Sequence, residues 1–219
     1  MKRFLPVLLA ALLLAGCNND NKVIMKGAFT VPAEGMVYLD QSEVDRSTRV
    51  DSTEIKRGRF KFVTEVTGPE FYQLRFPGNE FVALLVMPGE NISLELGKTP
   101  VAMNYTVQGS PGSADIRLLD QQLLVTKTRL DSVRNIYNAL SIDDLAVRGP
   151  ELQKTYTEAV EAQRKFNIKF VVEHISSMSS IQALYQRLDE NTYVLYQPRD
   201  LQYLKIVSDS LSVRYPVSR

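Results

Sequence analysis

The chain has 219 residues, of which 44% are hydrophobic and 23% are charged, and this balance is typical of a globular protein. Its formal net charge is +1, so there is no basic excess to neutralise phosphates, and we expect no nucleic-acid partner. A single cysteine and a single histidine exclude an intrachain disulfide and a Cys/His metal cluster, and we expect no metal and no cofactor.

The N-terminus has the pattern of a bacterial export signal. Lys2 and Arg3 precede an apolar run over residues 4–15, and the run ends in small residues before a cysteine. This order resembles the lipobox of bacterial lipoproteins, which is formed here by Leu14, Ala15, Gly16 and Cys17. The resemblance implies a diacylglyceryl thioether on Cys17, cleavage before it and acylation of the new amine, for example with palmitate. The alternatives are a transmembrane helix, which needs about 20 apolar residues, and ordinary cleavage beside an incidental cysteine.

These features predict a signal peptide over residues 1–16 and a polar tether over residues 17–22. Loss of Lys2 and Arg3 with the signal leaves 24 basic and 25 acidic residues. We expect the protein to be attached to a membrane through lipid on Cys17. The expected location is the bacterial cell envelope, at the outer membrane or the periplasmic face. Asn18, which is not an aspartate, favours the outer membrane.

Residues 23–110 are predicted to form a β-sandwich domain. Alternating or continuous apolar segments are separated by Gly, Pro and Asn turns, as expected for short strands. The continuous apolar run at 81–87 is predicted to be a buried central strand. The predicted strands cover residues 23–30, 36–39, 49–55, 59–66, 71–76, 81–87, 92–96 and 105–107. This number and spacing of strands predict an antiparallel sandwich.

Residues 111–219 are predicted to be a helical region. Apolar residues recur at steps of three and four over 116–140 and again over 152–170, which predicts two long helices in an antiparallel hairpin. Ser113 is the predicted N-cap of the first, and Pro150 is predicted near the start of the second. Shorter amphipathic helices are predicted at 179–188 and 198–213. The fold class is therefore α+β, and the apolar stripes either pack on each other or form a coiled coil with a partner.

The polar residues show no catalytic constellation in sequence, so we expect no catalytic residue and no enzyme activity. His174 is interpreted as the end of the second long helix, where it complements the helix dipole. The segment 109–112 is interpreted as a linker. Two groups of carboxylates are interpreted as solvated charge, and one group of tyrosines is either an interface or packing between helices. The carboxylates are Asp143, Asp144, Asp189 and Glu190, with the cluster Asp40, Glu43, Asp45 and Asp51; the tyrosines are Tyr185, Tyr193, Tyr196 and Tyr203.

A series of short motifs in a fixed order resembles a known family. They are the lipobox, KGAF at 26–29, VDS at 50–52 with GRF at 58–60, PGE at 88–90, VQGS at 107–110 and FVVEH at 170–174 before two serines. Together they resemble the domain of unknown function, and the helical spacer after it, that begin envelope lipoproteins with a C-terminal thioredoxin-like (TlpA-type) domain. In that family a Cys-x-x-Cys motif performs the redox chemistry. This chain has no second cysteine, so no redox residue is transferred to it.

Three hypotheses follow. The first, which we favour, is a non-catalytic lipid-anchored module that binds an envelope protein partner or acts as a scaffold or spacer. The second is a truncated thiol–disulfide oxidoreductase whose catalytic domain is missing. The third is an unrecognised enzyme or small-ligand binder with its ligand between the sandwich and the helices.

Overall fold

The computed structural model describes residues 21–43 and 46–216, so Cys17, the lipobox and Asp45 lie outside the described residues. All eight predicted strands are present. Their bounds are β1 Lys22–Phe29, β2 Met36–Ser42, β3 Ser47–Glu54, β4 Arg59–Glu65, β5 Glu70–Arg75, β6 Phe81–Val86, β7 Asn91–Leu96 and β8 Tyr105–Gln108. Strands and helices are segregated along the chain, which confirms the α+β class.

The strands form two four-stranded sheets. The first, sheet A, has the order β4-β1-β7-β8, and the second, sheet B, has the order β3-β2-β5-β6. Each sheet places alternate side chains in a shared apolar core, as the period of two requires. Val23 and Met25 enter the core from β1, and Leu74 and Leu84 enter it from sheet B. Four phenylalanines fill one end of this core: Phe29, Phe60, Phe62 and Phe76.

Two features of the sandwich differ from the prediction. β1 and β7 pair in parallel, so sheet A is mixed rather than antiparallel. The alternation of apolar side chains is the same in both orientations, and the sequence pattern therefore cannot distinguish them. β6 is an edge strand and not a central one. Its run is continuously apolar because α1 covers its outer face, where Leu85 is buried.

The helical region consists of α1 Pro111–Ala139, α2 Ile142–Glu173, α3 Ser179–Tyr185 and α4 Leu201–Arg214, with 3₁₀ turns at Pro77–Asn79, Val101–Met103 and Pro198–Asp200. α1 and α2 are joined through Leu140 and Ser141, and they pack on each other as the predicted hairpin. None of the helices among the described residues is both long and apolar enough to cross a membrane.

The starts of the two long helices were predicted wrongly. The N-cap of α1 is Ser110, whose hydroxyl accepts a hydrogen bond from the Ser113 backbone nitrogen at 3.2 Å. α2 begins at Ile142, so Pro150 lies inside the helix and does not start it. The reason is an earlier cap, because Ser141 accepts a hydrogen bond from the Asp144 backbone nitrogen at 3.2 Å.

The start of α1 is fastened to sheet B and is not a free linker. The Leu85 carbonyl accepts hydrogen bonds from the hydroxyls of Ser110 and Ser113, at 3.1 and 2.9 Å. Gly109 has a φ of +81°, and a Cβ there would stand 1.9 Å from the Asn91 carbonyl oxygen. Only glycine fits this turn, which directs the chain from β8 onto the outer face of β6.

Candidate interaction surface

The part of sheet B that the helices leave uncovered carries a charged cluster centred on Asp40. Arg75 donates to one Asp40 carboxylate oxygen through Nε at 3.0 Å and Nη2 at 2.6 Å. Arg49 donates to the other oxygen through Nε at 3.3 Å. Asp40 is buried, whereas the two arginine side chains remain partly exposed. One carboxylate thus fixes two guanidinium groups at the surface.

The register of three strands builds this cluster. Asp40 of β2 lies opposite Arg49 of β3, and Arg75 of β5 lies opposite Tyr38, one diagonal step from Asp40. A bulge between Leu39 and Asp40 shifts the pairing with β3, and both residues are buried. The extra residue lies in β3, and it brings Arg49 opposite Asp40 so that both side chains lie on the outer face of sheet B.

Aromatic and apolar side chains border the arginines. The guanidinium carbons of Arg49 and Arg75 lie 3.9 and 5.2 Å from the centre of the Tyr38 ring. Phe81, directly opposite Arg75 on β6, is 49% exposed. We call Tyr38, Asp40, Arg49, Arg75 and Phe81 the arginine–tyrosine surface. Arginine, tyrosine and phenylalanine are enriched in protein interfaces, so this composition suits protein recognition.

Two serines, one histidine and one aspartate meet near the end of α2, but their contacts are structural. The His174 ring Nδ1 lies 2.9 Å from the Phe170 carbonyl, as predicted for a residue at a helix end, and its ring stacks on Phe170. Ser180 donates to the His174 carbonyl, and Ser179 donates to Asp115 at 2.9 Å. Neither serine hydroxyl is bonded to an imidazole nitrogen, which a nucleophile and its base require.

A polar network inside the helical layer joins α1, α2 and α3. Thr126 donates to Gln163 at 2.6 Å, and Asn167 donates to the Ala183 carbonyl at 2.7 Å. Gln182 donates to Asp120 at 3.0 Å, while burial raises the pKa of the Asp120 carboxyl above its ordinary value. Each of these buried groups has a partner, so the network fixes how the helices pack.

The remaining predicted residues are dispersed. Asp143 and Asp144 occupy the first turn of α2, and Asp189 and Glu190 lie exposed after α3, as solvated charge. The prediction for Asp40 was wrong, because this carboxylate is buried between arginines. Tyr203 packs in the helical core, which confirms the packing expectation for this tyrosine, while Tyr185 and Tyr196 are mostly exposed.

Two of the grooves on the surface of the described residues are well enough formed to describe, and neither lies in the contact between β6 and α1. The larger, of about 580 Å³, is on sheet A around Lys26, Arg59 and Lys61. The smaller, of about 240 Å³, lies beside β8 near Thr106 and Arg117. The outer side of β6 is instead filled by apolar packing of Leu85 on α1. No group of three metal-binding side chains is found among residues 21–43 and 46–216.

The sequence indicated none of the residues of the arginine–tyrosine surface as a binding residue. Tyr38, Arg49, Arg75 and Phe81 are single polar or aromatic positions in four separate strands. Asp40 occupies a position that the alternation of β2 assigns to the outer face, so its acidic side chain gave no separate signal.

Two regions of the chain are similar to described families. Residues 23–116 match the family described as Domain of unknown function (DUF4369), and residues 1–18 match the Prokaryotic membrane lipoprotein lipid attachment site. The first match includes the two sheets and the beginning of α1. The second supports a lipid-anchored protein of the bacterial envelope, in agreement with the lipobox at Cys17. No curated protein matches the chain.

Proposed function

We propose that this protein is a lipid-anchored, non-catalytic binding module of the bacterial envelope, and that it binds a protein partner through the arginine–tyrosine surface. The observation that carries the proposal is the clamp of Arg49 and Arg75 on the buried Asp40. Side chains held in place before binding lose less conformational entropy when a partner arrives. Arginine and tyrosine are also the residues that most often dominate binding energy.

The charge of this surface indicates the chemistry of the partner. Two guanidinium groups share one carboxylate, so the cluster keeps a net positive charge beside the half-exposed ring of Phe81. A complementary partner presents carboxylates next to an apolar or aromatic side chain. β3, one of the two edge strands of sheet B, is exposed along most of its length and leaves room for the partner at this edge.

Site-specific photo-crosslinking in the native envelope tests this proposal. We expect a photoreactive amino acid in place of Phe81 to give a discrete crosslinked product. The same amino acid at Val172, a half-exposed position on α2, serves as the matched control. The product at position 81 should disappear when Arg49→Glu and Arg75→Glu are combined. Equal crosslinking at both positions, or a product insensitive to the arginine changes, would contradict the proposed surface.

The truncated-oxidoreductase hypothesis is separated from this proposal by the intact mass of the protein extracted from its envelope. The binding-module proposal expects the 24.7 kDa chain less the signal peptide and plus acyl chains. A species heavier by about 11–16 kDa, the mass of one further domain of ordinary size, would favour the oxidoreductase. Thiol–disulfide exchange by that species would then locate the activity outside the residues described here.

A further inference from the structure

The outer face of sheet A concentrates positive charge in a protein that is otherwise nearly neutral. Lys26 of β1 lies directly opposite Lys61 of β4, and Arg59 lies opposite Ala28. Lys56, in the turn before β4, lines the same open groove. We call Lys26, Lys56, Arg59 and Lys61 the basic face. Glu54 is the acid that lines this groove, and the same face also carries Glu65, opposite Lys22, and Glu95, opposite Ala28, so its cations remain in excess.

These cations are not explained by internal contacts. All four side chains are exposed, and none takes part in the ion pairs found among the described residues. Two like charges placed directly opposite each other across a pair of strands, as Lys26 and Lys61 are, lower the stability of the sheet. An anionic surface outside the protein would remove this repulsion.

Apolar side chains accompany the charges. Ile24 and Val63 face each other across β1 and β4, two residues along the strands from Lys26 and Lys61 and on the same face. Val63 is 46% exposed on this otherwise polar face. Basic side chains around a small apolar centre are the composition of surfaces that lie at a lipid headgroup layer.

The lipid anchor places this face beside a membrane. β1, which carries Lys26, begins only five residues after Cys17, the cysteine of the matched lipid attachment site. Five residue steps span at most about 18 Å, so the start of β1 is always close to the headgroups. At such a high effective concentration even a weak attraction to the surface keeps the face docked.

We propose that the basic face docks on anionic headgroups of the membrane that holds the lipid anchor. The phosphates of these lipids interact with Lys26, Lys56, Arg59 and Lys61, and Val63 reaches the headgroup layer. Sheet B, on the opposite side of the sandwich, then faces away from the membrane. The anchor limits how far the protein can lie from the membrane, and the basic face fixes which side of the protein points toward it.

The test uses the full lipidated protein in vesicles and a single environment-sensitive dye. Because Cys17 is acylated, Val63→Cys supplies the only free thiol, and Val50→Cys on β3 of sheet B is the matched control. In vesicles containing phosphatidylglycerol we expect the dye at position 63 to be shielded from a water-soluble quencher. In pure phosphatidylcholine, or at high salt, its quenching should rise to that of the dye at position 50.

Charge substitutions complete the test. Adding Lys26→Glu and Lys61→Glu should abolish the shielding at position 63, because each lost attraction weakens docking about fivefold. Adding Lys154→Glu and Lys205→Glu, at exposed lysines of α2 and α4, should leave it unchanged. Equal quenching at positions 63 and 50 in anionic vesicles would overturn the proposal. Shielding that persists in neutral vesicles, or that appears only when an acidic protein is added, would also overturn it.

Discussion

At Asp40 a single buried carboxylate holds two guanidinium groups, and its removal tests how far the arginine–tyrosine surface depends on it. Asp40→Ala leaves Arg49 and Arg75 close together without their shared partner. We expect the free energy of unfolding to fall by about 2 kcal/mol, because charge-assisted hydrogen bonds are lost around a buried site. Urea denaturation measures this change. The control is Asp51→Ala on exposed β3, which should change the free energy by less than about 0.5 kcal/mol; equal losses for the two variants would contradict the argument.

Asp120 makes the free energy of unfolding depend on pH, because its carboxyl is partly buried and no cation among the described residues is bonded to it. Burial raises the pKa of its carboxyl, and hydrogen bonds from Gln182 and Gln186 only partly oppose this effect. A raised pKa in the folded protein means that ionisation of Asp120 favours unfolding. Its contribution to stability is therefore complete below the ordinary pKa of 3.8 and is lost as the pH rises through the raised value.

The substitution Asp120→Asn removes this ionisation and keeps an oxygen for the two glutamines. We expect the variant to be more stable than the wild type at neutral pH, with the difference shrinking as the pH falls toward 4. Denaturation across this pH range measures it, and Asp131→Asn, at an exposed position of the same helix, is the control. A difference that does not change with pH would show that the charge of Asp120 is not its cause.

At the scale of secondary-structure elements, the sequence predicted every strand and helix but not the order in which the strands pair. Side-chain alternation and helical spacing are local properties, so β7 and α2 are apparent from residues within each element. The start of α2 was missed because Pro150 dominated the interpretation, although Ser141 and the following acidic residues form an earlier cap. The parallel pair β1–β7 joins strands on either side of sheet B in the sequence, and no local pattern specifies it.

The candidate site was not predictable for the same reason. Asp40, Arg49 and Arg75 meet only because β3, β2 and β5 are adjacent in sheet B and because a bulge in β3 brings Arg49 opposite Asp40. Strand order and bulge position depend on the whole sandwich. The lipid attachment site at Cys17 was predictable because its signal lies entirely within a short contiguous segment.

The ion pair between Arg164 and Asp200 fixes the start of α4 on α2. Both side chains are buried, and the Arg164 Nε has no partner among the described residues. We expect Asp200→Asn to lower the free energy of unfolding by about 3–5 kcal/mol, because it leaves a buried charge unpaired. Adding Arg164→Met should recover most of this loss, since the pair is then replaced by uncharged groups. Chemical denaturation of the single and double variants tests this, and a double variant as unstable as Asp200→Asn would contradict it.

At the scale of the whole molecule, the two proposed surfaces lie on opposite sides of the sandwich. The basic face belongs to sheet A and the arginine–tyrosine surface belongs to sheet B, with the shared core between them. Docking of sheet A on the membrane would therefore direct sheet B away from the membrane. The helical hairpin also packs on sheet B, so it would extend on the side where a partner approaches.

Leu85 determines whether the sandwich and the helices behave as one cooperative unit. Its side chain packs with Ile116 and Leu119 of α1, and its carbonyl holds Ser110 and Ser113. We expect Leu85→Ala to lower the free energy of unfolding by about 2–5 kcal/mol. Because the contact joins the two layers, hydrogen exchange should accelerate together in α2 and in the central strands β1 and β7.

The control for this prediction is Leu118→Ala, which shortens a half-exposed side chain on the same helix. It should change the free energy of unfolding by less than about 0.5 kcal/mol and leave exchange in both layers unaltered. If Leu85→Ala accelerated exchange in α2 alone while β1 and β7 kept their protection, the helices would unfold independently of the sandwich. Sheet B would then not fix the orientation of the helical hairpin. A partner bound to the arginine–tyrosine surface would itself have to hold the helices in place.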